Sequence, residues 1–154
     1  MKKEHIVSYE EVSLNELTPQ DKVLIAAAIE ATQSSYSPYS HFSVGAALQL
    51  DSGIIVKGSN QENIAYPSGL CAERTAMFAA SAQHPGAHFE ALAIAARNTE
   101  GKLCGASPCG ACRQVMSEYE MRQHHPMRIL IYFSDTKILI FDKVEGLLPF
   151  SFNM

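Results

Sequence analysis

The chain has 154 residues, 47% hydrophobic and 18% charged, which excludes a disordered or collagen-like polymer and leaves room for one continuous core. Its apolar runs, such as Val23 to Ile29, are far shorter than the roughly 20 residues of a spanning helix. Twelve Lys+Arg against sixteen Asp+Glu give a formal charge of -4, so binding to a phosphate backbone is not expected and a small metabolite is the better partner.

Residues 1 to 17 are polar and read as a peripheral arm. They carry no apolar stretch after Met1-Lys2-Lys3, so no secretory signal is expected and the setting is taken as cytoplasmic and reducing. The arm precedes one domain over 18 to 154. Thr18-Pro19-Gln20-Asp21 opens a helix: a hydroxyl cap, proline in the first turn and an acid near the positive end. That helix runs to about Ala31, and its apolar stretch predicts burial around much of its circumference. Ser34 to His41 is a loop. Phe42 to Leu50 and Ile54 to Gly58 form a hairpin around Asp51-Ser52-Gly53. Asn60 to Gly69 is again loop, and alanine-rich Cys71 to Ala82 is a helix that stops at His84-Pro85-Gly86. Phe89 to Ala96 is a buried strand. Cys109 to His124 is a helix behind Ser107-Pro108, and Arg128 to Ser134 and Lys137 to Phe141 are the last two strands. About five strands and three helices, intermixed, imply an α/β fold with a mixed sheet covered on both faces.

The four cysteines are placed unevenly. In a reducing setting they point to metal or catalysis rather than to a disulfide framework. Cys109 and Cys112 have the spacing that brings two thiolates to one tetrahedral ion, and Cys71, at another helix start, can supply a third. Three sulfurs without a fourth ligand describe an open site. Glu73, two residues from Cys71, is placed to act as a general acid and base above it. Arg74 can donate hydrogen bonds to the thiolates, and the two helix N-termini favour their charged form. The competing readings are a core helix with two buried thiols and a structural site closed by Cys104. Glu73 has no purpose in a closed site.

Cys71-Ala72-Glu73-Arg74-Thr75-Ala76 and Ser107-Pro108-Cys109-Gly110-Ala111-Cys112-Arg113-Gln114 resemble the two halves of the cytidine deaminase motif. Tyr36 to Phe42, Val44 to Leu48, Asn60 to Asn63, Tyr66-Pro67 and the tail Leu147 to Phe152 extend the resemblance. It is to the short cytidine deaminases with three cysteine ligands. The resemblance implies a three-layer α/β/α sandwich, a homotetramer, and one Zn²⁺ per subunit on Cys71, Cys109 and Cys112. It implies hydrolysis of cytidine and deoxycytidine to uridine and deoxyuridine with loss of ammonia, in pyrimidine salvage. Glu73 would move protons. Asn60 and Glu62 would hold the ribose 3′-hydroxyl, Phe42 would pack on the pyrimidine and the Ala72 backbone would contact the base. Tyr66 and Phe152 would serve a neighbouring subunit's site. The arm before Thr18 is longer than the pattern of such a short chain, and the tail ends two residues after Phe152. A carboxylate at Glu62 suits a sugar hydroxyl and repels a phosphate, which favours a free nucleoside. A deaminase of another aminated base and a zinc-stabilised binding module without catalysis are the other readings. Replacement of Glu73 separates the module from the enzyme.

Overall fold

Thr18 caps the first helix as its sequence predicts. In the computed structural model, which describes residues 1–153, its Oγ1 accepts from Asp21 N at 3.1 Å and the helix α1 spans Pro19–Ala31. The hairpin strands follow as β2 (Ser43–Leu50) and β3 (Ile55–Ser59), after a short β1 (Glu10–Val12) in the N-terminal arm. Helix α2 is Ala72–Gln83, β4 is Phe89–Arg97 and β5 is the two-residue Leu103–Cys104. Helix α3 (Gly110–Gln123), β6 (Arg128–Ser134) and β7 (Lys137–Phe141) complete the domain. The five expected strands are present, joined by the short β1 and β5 to make a seven-stranded sheet in the order β1-β7-β6-β4-β2-β3, with β5 paired to the end of β4. Only β4 and β6 run parallel, as their connection through α3 requires; every other pair is antiparallel.

The strands alternate their side chains between two cores. Leu48 and Leu50 of β2 and Leu92 and Ile94 of β4 face α2 and α3, packed with Met77, Met116 and Ile129. Ala47 and the alanines 91, 93 and 95 face α1, packed with Leu24, Ile25 and Leu130. This is the three-layer α/β/α sandwich. The α1 side is lined with small residues, so the helix sits close: a Cβ on Gly45 would meet Ala28 O at 2.1 Å.

The α1 helix differs from its sequence reading. Leu24, Ile25, Ala28 and Ala31 are buried, but Val23 is 58% exposed and Ala26 is exposed too. A helix lying on one sheet face can bury only one stripe, however apolar its remainder. Asp21, buried at the start of α1, is held by Arg128 of β6 through two bonds of 3.0 and 3.1 Å.

Candidate active site

Two helix starts build the centre. Cys71 is the N-cap of α2 and Cys109 is the N-cap of α3, whose Sγ accepts from Cys112 N at 3.5 Å. Gly58 of β3 sets the seat of α2. A Cβ there would lie 2.4 Å from Ala76 N and 2.6 Å from Ala72 O, so only glycine allows this approach. The result is that Cys71, Cys109 and Cys112 bring their three sulfurs within 4.8 Å of one another. Cys71 and Cys109 Sγ are 3.8 Å apart. Sulfurs around a tetrahedral zinc, at about 2.3 Å each, are separated by about 3.8 Å. Cys104 does not join them; it lies on β5, where burial pushes its thiol up.

The charges agree with a cation-binding set. Cys71 is held down to about 5 by the Cys112 thiol that hydrogen-bonds to it, with Arg74 and Cys109 assisting against burial. Cys112 is pushed up, first because it is the donor to Cys71 and then by burial and by Glu73. Three sulfurs this close share negative charge poorly without a positive ion between them. Arg74 Nη2 donates to Cys71 Sγ at 3.6 Å. Arg74 Nε is the one buried side-chain polar atom among the described residues that lacks a partner. The donor set fits zinc.

Glu73 is 4% exposed, in the first turn of α2. Burial pushes its carboxyl up and the Cys71 charge adds to this, while its own backbone N–H, Cys112 and Arg74 oppose it. A buried acid beside Cys112, with no ion-pair partner among the described residues, is costly for stability alone, which makes Glu73 a candidate for a chemical role.

Beside the cysteines opens a cleft of about 560 Å³, lined by Asn60, Glu62, Tyr66, Leu70, Cys71 and Arg74 among others. Three chain segments form its wall. Gln61 and Leu70 exchange backbone bonds of 2.9 Å, which carries the 60–62 segment to Cys71. Tyr36 N donates to Asn60 O at 3.0 Å and Glu62 N to Tyr36 O at 2.8 Å, which ties on the loop before β2. Asn60 completes the knot with its side chain. Its Oδ1 accepts from Ser35 Oγ at 2.6 Å and Val44 N at 2.7 Å, and its Nδ2 donates to Phe42 O at 2.9 Å. Glu62 takes the backbone N–H groups of Tyr39 and Ser40 and the Ser40 hydroxyl, and that hydroxyl is the first cause holding its carboxyl below the usual range.

The remaining sequence candidates are placed as follows. Ala72 is fully buried, and Phe42, half-buried, joins the wall through its backbone. Tyr66 is 74% exposed and meets Tyr39 edge-on at 5.7 Å. Phe152 is 73% exposed, and its backbone N and O are clamped by the Gln114 amide at 3.2 and 2.8 Å. Arg113 donates to Pro108 O and to Leu147 O, both at 2.8 Å, so the first turn of α3 grips the C-terminal segment as well as presenting sulfur. The sequence reading gave Gln114, Arg113, Ser35 and Ser40 no role. Their partners lie up to 38 residues away, and no local pattern reveals them.

Comparison with known proteins converges on this site. The model of the cytidine and deoxycytidylate deaminase zinc-binding region matches residues 18–125, which include all three cysteines and Glu73. A cytidine deaminase of Sporosarcina psychrophila is 50% identical over 96 residues, 62% of this chain and 67% of that protein. One from Mycobacterium tuberculosis H37Rv is 39% identical over 104 residues, 66% of this chain and 74% of that one. The crystal structure of the Burkholderia pseudomallei cytidine deaminase superposes with a TM-score of 0.74 at 36% identity, covering 88% of this chain and 100% of that one. With the family model covering residues 18–125 and three cysteine sulfurs converging within that span, the chain belongs to the cytidine and deoxycytidylate deaminase family.

Proposed function

We infer that this chain hydrolyses cytidine and deoxycytidine to uridine and deoxyuridine, releasing ammonia, a reaction of pyrimidine salvage. The observation that carries the reading is the buried Glu73 set against three converging cysteine sulfurs at the edge of a cleft. Cys71, Cys109 and Cys112 would hold zinc, which would supply Lewis acidity toward water at neutral pH. Water adds its oxygen at ring C4, the C4–N bond breaks and ammonia leaves. Glu73 takes one proton of the attacking water and gives it to ring N3, then takes the second from the new C4 hydroxyl and gives it to the departing amine as the C4 carbonyl forms. Arg74 donates to Cys71 Sγ and offsets the negative charge of three thiolates.

Counting hydrogen bonds supports a sugar subsite at Asn60 and Glu62. An ionised carboxylate accepts about four bonds, and the loop fills three on Glu62. Asn60 has filled both acceptor positions and one of its two N–H groups. The pair therefore offers one acceptor and one donor, which matches a single free hydroxyl such as the ribose 3′-hydroxyl. It does not match a phosphate dianion, which has no proton to give Glu62 and is repelled by its charge. In this reading Phe42 and the Ala72 backbone take the base. The exposed rings of Tyr66 and Phe152 favour a homotetramer in which each serves a neighbour. No described helix is long and apolar enough to cross a membrane, and a cytoplasmic setting suits a free nucleoside substrate.

The test is an ultraviolet assay of the purified protein on cytidine, deoxycytidine, their monophosphates, adenosine and guanine. The two nucleosides should turn over and the monophosphates should not. Glu73→Gln should keep its zinc and lose at least 10²- to 10⁴-fold in kcat, the scale of general acid–base catalysis. Parental turnover of cytidine by that variant would refute the mechanism.

A further inference from the structure

The loop ahead of β2 meets Glu62 through one side chain with two jobs. Ser40 Oγ donates to Glu62 Oε1 and at the same time accepts from Phe42 N at 3.1 Å. Between them stands His41, at φ 53 in the left-handed region, which is uncommon for a residue other than glycine. The two Ser40 bonds span this residue and fix the chain direction at which Phe42 leaves the loop. Tyr39 N and Ser40 N, at 2.8 and 3.2 Å from Glu62 Oε2, hold only the other carboxylate oxygen. The Ser40 hydroxyl alone connects Oε1 to Phe42, the residue just ahead of β2.

We propose that Ser40 is a positioning residue for nucleoside recognition: its hydroxyl fixes the rotation of the Glu62 carboxylate and ties it to Phe42. The inference rests on the sugar and base roles of Glu62 and Phe42 given above and extends them to a residue outside the contact set. Without the hydroxyl, Glu62 Oε1 regains a lone pair and its freedom to rotate. The match of one donor and one acceptor to one sugar hydroxyl is then lost. Phe42 N loses its acceptor at the same time.

Steady-state kinetics on the zinc-loaded Ser40→Ala protein, with cytidine and with a cytidine analogue lacking the 3′-hydroxyl, tests this. KM for cytidine should rise roughly tenfold, the scale of one hydrogen bond to a charged group, with kcat within about twofold of the parent. KM for the analogue should rise several-fold less, because that substrate does not use the carboxylate. Ser40 is exposed, so Ser40→Thr has room for its methyl group and should restore the parental KM through its own hydroxyl. An unchanged KM for cytidine, an equal rise for both substrates, or failure of threonine to rescue would each overturn the proposal. A parent protein that does not deaminate cytidine would instead remove the functional reading beneath it.

Discussion

Gly58→Ala should damage this enzyme more than Gly110→Ala, a change of the same size beside Cys109. The added Cβ would sit 2.4 Å from Ala76 N, 2.6 Å from Ala72 O and 2.9 Å from Ala76 Cα, all backbone atoms of α2. No rotamer change relieves such contacts. Ordinary contact begins at 3.4 Å, so α2 must retreat by about 1 Å, the difference between 3.4 and 2.4 Å. Overpacking of this kind costs about 1–3 kcal/mol, and a chain of this size loses about 2–4 °C in Tm per kcal/mol. The retreat also carries Cys71 and Glu73, which stand at the start of that helix. A displacement of about 1 Å at a reacting centre costs on the order of 10²-fold in kcat/KM. Thermal unfolding of the zinc-loaded protein and cytidine turnover measure the two effects. The control is Gly110→Ala, which lies directly beside Cys109 but has nothing within 4 Å of the new Cβ. It should leave Tm unchanged or raise it by the helix preference for alanine, at most about 1 kcal/mol. Parental melting and turnover in Gly58→Ala, or equal melting losses in the two variants, would refute the account of how α2 is seated.

Metal analysis should show that Cys112→Ala loses most of its zinc while Cys104→Ala keeps it, since only the first belongs to the group of three sulfurs. Zinc loss in the Cys104 variant would mean a closed structural site. Truncation after Pro149 removes the Phe152 backbone gripped by Gln114, and should raise KM for cytidine or weaken the oligomer, read by kinetics and by sedimentation. Normal kinetics with an intact assembly would remove Phe152 from the site.

The parts of this structure legible in the sequence are those governed by local rules. Thr18-Pro19 marked a helix start because capping chemistry lies within three residues of the cap. Ser107-Pro108 places the second start within two residues of the actual cap, Cys109, and alanine content places Cys71 at the other; their convergence needs only those starts to face each other. The hairpin and the last two strands follow from their apolar runs and the turn residues between them, and the buried β4 from its continuous apolar run. The short strands escaped notice for a physical reason. Glu10–Val12 carries two exposed acids at the sheet edge, a composition that protects an edge and also disguises a strand. Leu103–Cys104 is too short for any period. The exposed side of α1 departs from its apolar composition because hydrophobicity says what a surface could bury and not what is available to cover it.

The candidate site adds a further lesson about reading contacts. Asn60 and Glu62 belong to the site by resemblance as substrate residues, yet most of their bonding capacity is spent on the protein. Removing the Asn60 side chain would unpair Ser35, Val44 N and Phe42 O before it cost any bond to a sugar. The resulting loss of activity would therefore exceed the worth of the substrate contact and could not be quoted as that contact. The economy of the arrangement lies in the same fact. A serine-rich loop and a turn from a different part of the chain become one wall because Asn60 and Glu62, the side chains proposed to hold the sugar, are those that fasten it. After fastening, one donor and one acceptor remain. Preorganisation and specificity thus share the same side chains, and a substitution that alters the one must alter the other.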